Sequence, residues 1–175
     1  MKAEILLFPY DAAEDGSLFH RLIDELSSGG WTRLRAAVAF ARVSGNSGEL
    51  LDALVNFASS GGTVSLTFGA DTFGRDSGSD LQAIEQLVGR LEPYPNATVY
   101  LYHESGRTFH PKIYLLDHEV NEEALIIVGS SNWSYGGLAD NIEANILISL
   151  SLNVEDEREL YGRLEYCFTN YWTES

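Results

Sequence analysis

Three short stretches of the chain hold residues able to work on a phosphodiester. His110-Pro111-Lys112 sets an imidazole two residues from an ammonium. At the start of a strand, alternation puts His110 and Lys112 on one face. A neutral imidazole there can attack phosphorus while the ammonium neutralises the non-bridging oxygens. Gly129-Ser130-Ser131-Asn132 joins small residues, which let a phosphate approach the backbone, to hydroxyl and amide donors. Glu143, two residues after Asn141, offers a carboxylate able to hold an imidazole in one tautomer.

These stretches need a scaffold, and the hydrophobic pattern supplies one. Ile5 to Phe8 reads as a short strand, and Leu18, Phe19, Leu22, Ile23 and Leu26 recur at helical spacing until Gly29-Gly30. Leu34 to Val43 reads as a largely buried strand. The turn Ser44 to Gly48 follows, then a helix from Glu49 to Ala58 and a β-branched strand from Thr63 to Phe68. Gly69 to Ser79, rich in Gly and Asp, reads as a loop and a candidate rim for an active site. A helix follows over 80–91 and strands over 98–102, 112–116, 124–128 and 142–149, with a closing helix over 154–168. Strands alternating with helices predict an α/β fold, a mixed central sheet with helices on both faces. With no linker and no repeated segment, residues 1–175 are expected to form a single domain.

Composition narrows the function classes. The chain has 175 residues, 26 Asp plus Glu against 11 Lys plus Arg, and a formal net charge of −15. Nucleic-acid affinity comes largely from cations displacing counterions, so this balance excludes a protein that coats DNA and leaves room for a local basic cleft. Lys2 and Lys112 are the only lysines, which gives weight to a lysine inside a motif. A single cysteine, Cys167, excludes an intrachain disulfide. No basic segment leads into an apolar stretch and no run nears the ~18 apolar residues of a membrane span, so a cytoplasmic protein without a membrane partner is expected.

The ordered set resembles the phospholipase D superfamily, whose signature is His-x-Lys, four residues, Asp, then Gly-Ser-x-Asn and a later Glu. Here His110, Lys112 and Asp117 keep that spacing, with Gly129, Ser130, Asn132 and Glu143 behind them. The form is most similar to phospholipase D-like restriction endonucleases and helicase-associated nucleases. The resemblance implies a metal-independent phosphodiesterase, without a cofactor, that forms a phosphohistidine on His110. Lys112, Ser130 and Asn132 would hold phosphate oxygens, Glu143 would orient an imidazole, and Asp117 and Gly129 would be structural parts of the motif. Two imidazoles must flank phosphorus, whereas this chain supplies one motif. Short family members meet that need as symmetric homodimers, so a homodimer with a shared site is expected.

The favoured substrate is DNA, cut by an endonuclease working in restriction or defence beside a separate motor or targeting protein. The alternatives are RNA cleavage, a lipid phosphodiesterase or phosphatidyltransferase, and a non-catalytic interaction module. His20 reads as structural. His103 and His118 match no zinc spacing, so no metal site is expected, and His103 or Arg107 touching substrate stays open. Trp133 reads as core or dimer contact.

Overall fold

The computed structural model describes residues 1–10, 17–42, 48–70 and 78–172. Seven strands form one mixed sheet: β1 (Lys2–Phe8), β2 (Arg33–Val38), β3 (Thr63–Gly69), β4 (Ala97–Tyr102), β5 (Lys112–His118), β6 (Glu123–Gly129) and β7 (Glu143–Ser151). Their order across the sheet is β1-β7-β6-β5-β2-β3-β4. The β2-β3-β4 side is parallel and the β2-β5-β6-β7-β1 side antiparallel. Helices α2 (Gly48–Ser59) and α3 (Leu81–Leu91) cross over between the parallel strands, whereas a short turn joins antiparallel β5 and β6.

The sheet is covered on two faces, as the pattern of strands and helices predicts. On one face α1 (Leu18–Ser27), α2 and α3 pack Phe19, Leu22, Leu54, Phe57 and Leu87 against Leu34, Leu66, Phe68, Tyr114 and Ile127. On the other, α4 (Glu155–Trp172) lays Tyr161 and Phe168 over Ala37, Leu115, Ile126 and Leu150. Five consecutive buried residues in β2 reflect cover on both sides. Ser17 begins α1 as its N-cap, accepting from the His20 backbone N–H.

β1 and α4 run longer than the sequence pattern predicts, and two further departures lie near the motif stretches. The apolar run from Leu34 leaves the β2 ladder after Val38, and Ala41 instead bridges to Trp133. The run is buried as a strand and then as a packed crossing, and apolar content alone does not tell these apart. A π-helical turn, Gly136–Asp140, also stands before β7. Val43 and the Ser44–Ser47 part of the expected turn lie outside the described residues, as does the middle of the Gly69–Ser79 loop.

Strand direction converges the motif stretches on one end of the sheet. Val38 at the end of β2 faces Lys112 at the start of β5, and Gly129 at the end of β6 faces Asn145 near the start of β7. Asp117 lies at the opposite end, where it faces Arg33.

Candidate active site

His110 sits two residues before β5 rather than within it, and its side chain still meets Lys112. The Lys112 ammonium lies 3.0 Å from Nδ1 and 3.1 Å from Nε2 of His110, and 3.4 Å from its carbonyl oxygen. Lys112 is itself buried. Burial lowers its pKa, and the negative charge of Glu143 only partly offsets this.

His110 opens onto a cavity of about 610 Å³, lined also by Phe40, Arg42, Asn132, Ser134, Gly137 and Asn141. Asn132 presents there an amide whose buried oxygen has no hydrogen-bond partner among the described residues. That oxygen is an acceptor, which a donor group of a ligand or a water can complete. The turn carrying it is fixed from behind. Tyr114 donates to the Ser131 carbonyl at 3.1 Å, and the buried Asn145 amide donates to the Ser131 hydroxyl at 2.9 Å. Burial, with Glu143 adding to it, pushes the Tyr114 phenol far up, so it stays a neutral donor.

Two glycines allow the close packing. A β-carbon on Gly129 would stand 2.3 Å from the Ala144 carbonyl, and one on Gly137 would stand 2.9 Å from the Asn132 backbone nitrogen. Neither position tolerates a side chain without backbone movement. Gly137 belongs to the π-helical turn, an uncommon element that recurs at functional sites.

The structure brings His110, Lys112 and Asn132 together and gives the other motif residues different neighbours. Ser130 donates to Glu143, and its hydroxyl accepts from the Ala144 backbone N–H at 3.1 Å. Glu143 also accepts from Asn141 at 3.4 Å; among the described residues its side-chain hydrogen bonds are with these two and not with His110. Asp117, fully buried, takes Arg33 at 2.9 Å and Arg35 at 2.7 Å. Seven residues of extended chain, roughly 20 Å, separate it from His110. Trp133 is in the core against Phe68 and Tyr114. His20 bonds Ser17, and His118 accepts from the Asn121 backbone. Among the described residues no three His, Cys, Asp or Glu side chains cluster as a metal site, and no described helix is long and apolar enough to cross a membrane.

Sequence reasoning missed Phe40 and Arg42, which reach the cavity from the chain beyond β2. The scarcity of cations was the one available signal: nine arginines and two lysines make each of them worth placing.

A mixed sheet with an imidazole, an ammonium and an amide gathered at the ends of β5 and β6 defines a phospholipase D-like phosphodiesterase fold. The chain belongs to the PLD-like domain family of the cardiolipin synthase type, which matches residues 22–172. Comparison with curated proteins yields no match. Among solved structures, NucT from Helicobacter pylori is similar at 19% identity and a TM-score of 0.65, covering 97% of this chain and 94% of that one. Nuc from Salmonella typhimurium, a phospholipase D family member, shares 15% identity with a TM-score of 0.64, over 98% and 93% of the two chains. Phosphatidylserine synthase of Haemophilus influenzae matches at 14% identity and a TM-score of 0.65, over 94% of this chain and 37% of its own.

Proposed function

We propose that the protein is a metal-independent DNA endonuclease acting as a homodimer, with His110 as nucleophile. The observation that carries this reading is the Lys112 ammonium at 3.0 Å from an imidazole that opens onto a cavity. In the first step a ring nitrogen of His110 bonds to phosphorus as the P–O bond to the leaving strand breaks. The second imidazole gives its proton to that oxygen. In the second step this imidazole takes a proton from water, whose oxygen bonds to phosphorus and breaks the P–N bond. Lys112 and Asn132 hold the non-bridging oxygens, where charge accumulates.

A second copy can supply the second imidazole, since among the described residues His20, His103 and His118 do not line the cavity. One sheet face beside the site suits a second copy. Ile5, Leu7, Val128 and Ile146 are each 40–63% exposed. Ile146 pairs with both Ile5 and Val128 in the ladders, so the patch is continuous across three strands. It starts next to Glu143, and a two-fold axis through it sets two sites side by side.

Likeness to NucT and Nuc over nearly the full length of all three chains supports a nuclease. The family description and the phosphatidylserine synthase favour a lipid diester as the second reading. Plasmid incubated with the protein in excess EDTA separates them, with phosphatidylglycerol vesicles in parallel. Nicking that persists in EDTA and vanishes in His110→Ala is expected. Cleavage restored only by magnesium, or vesicle turnover without nicking, overturns the reading.

A further inference from the structure

Among the described residues lining the cavity, Arg42 alone carries a permanent positive charge. Its backbone is tied to the Asn132 turn: the Arg42 N–H donates to the Trp133 carbonyl at 2.9 Å, and Ala41 bridges to Trp133. Two of its side-chain contacts lie among the described residues. Nε donates to the Gly78 carbonyl at 3.1 Å, and the guanidinium carbon lies 5.3 Å from the centre of the Phe40 ring. A planar cation over an aromatic face keeps a defined orientation, and its terminal nitrogens match two oxygens of one phosphate.

Lys112 already belongs to the reacting phosphorus, through its contact with both ring nitrogens of His110. Arg42 is a second cation, and unlike Lys112 it lines the cavity itself. The space there, about 610 Å³, falls in the size range of sites that hold whole small-molecule ligands, far more than one phosphate group fills. In a chain of net charge −15, an arginine kept inside the site is a strong local attraction for a polyanion.

We propose that Arg42 binds the phosphate next to the reacting one along a nucleic-acid strand, so that the site selects polymers over isolated phosphodiesters. This rests on the nucleic-acid reading above and adds the residue that enforces it. The test compares kcat/KM on an oligonucleotide and on bis(p-nitrophenyl) phosphate across a salt series, for wild type, Arg42→Gln and Arg42→Lys. In Arg42→Gln the preference for the oligonucleotide should fall by roughly tenfold or more, carried by KM, and the salt slope should flatten by about one. Arg42→Lys should restore the slope. If Arg42 only pins Gly78, the glutamine variant lowers Tm and slows both substrates equally with an unmoved slope, which overturns the proposal. Wild-type protein that hydrolyses the small diester but leaves DNA intact overturns the nucleic-acid reading and this one together. Wild type that cleaves DNA, with an Arg42→Gln variant indistinguishable from it, overturns this one alone.

Discussion

Lys112 sits where its own charge is penalised, and that has consequences of opposite sign for catalysis and stability. Burial lowers its pKa from the ordinary 10.5. Between the folded value and 10.5 the unfolded chain binds more protons than the native one, so stability rises with pH through that window. Below it both states are protonated and the cost is fully present. On the proposed mechanism activity moves the other way, because the uncharged amine no longer neutralises phosphate oxygens. The alkaline limb of kcat/KM should therefore lie below pH 10.5 in the wild type. Lys112→Met should cost about 10²–10³ in kcat and raise Tm, since a thioether suits the buried position better than an ammonium. A variant with near-normal kcat, or activity unchanged up to pH 10.5, would contradict the assigned role.

At the scale of elements, the fold positions its site with two kinds of fastening. One is the ionic knot at the far end of the sheet. Asp117 on β5 holds Arg33 and Arg35 of β2, and both arginines donate to Tyr161 on α4 at 2.8 Å. Burial pushes the Tyr161 phenol up to about 12, against the pull of Arg35, so it stays protonated across ordinary pH. Glu165 completes the knot with Arg35 at 3.0 Å. Asp117→Ala strands a buried arginine, so a loss of about 3–5 kcal/mol in denaturant unfolding is expected. The turnover of the molecules that remain folded should change little, because the knot is remote from His110. A stable Asp117→Ala protein that has lost kcat would mean the knot acts on the chemistry after all.

The second fastening is the Tyr114–Ser131–Asn145 set behind Asn132, and the two differ in how legible they are in sequence. His110, Lys112 and Asn132 are legible because they stand at the start of one strand and just past the end of the next, which an antiparallel pair brings to one sheet end. The strand and helix order is legible because apolar periodicity marks each element. Arg42 and Asn145 are not: each reaches its place through pairing between segments about ninety and fourteen residues apart in the chain, and local pattern does not encode partners across such separations. Glu143 shows the same limit from another side. Its position was plain, yet its contacts with Ser130 and Asn141 emerge only when β6 and β7 are laid side by side.

For the whole molecule, the net charge and the exposed sheet face set up a competition that salt decides. Each chain carries −15, so pairing brings two strongly negative bodies together, and their repulsion opposes a dimer at low ionic strength. The face offered for pairing is apolar, with Ile5, Leu7, Val128 and Ile146 at its centre, and apolar burial is not weakened by simple screening. Raising salt from about 0.01 M to about 0.15 M shortens the screening length from ~30 Å to ~8 Å. The dimer Kd from sedimentation equilibrium should therefore tighten over that range. An interface held by opposite charges would loosen instead, and that result would remove this face from consideration. Ile146→Glu places a carboxylate on each side of the axis, and should give a monomer with native circular dichroism and no plasmid nicking. Nicking by such a monomer at a rate independent of protein concentration would mean that one imidazole suffices, and the shared site would have to be abandoned.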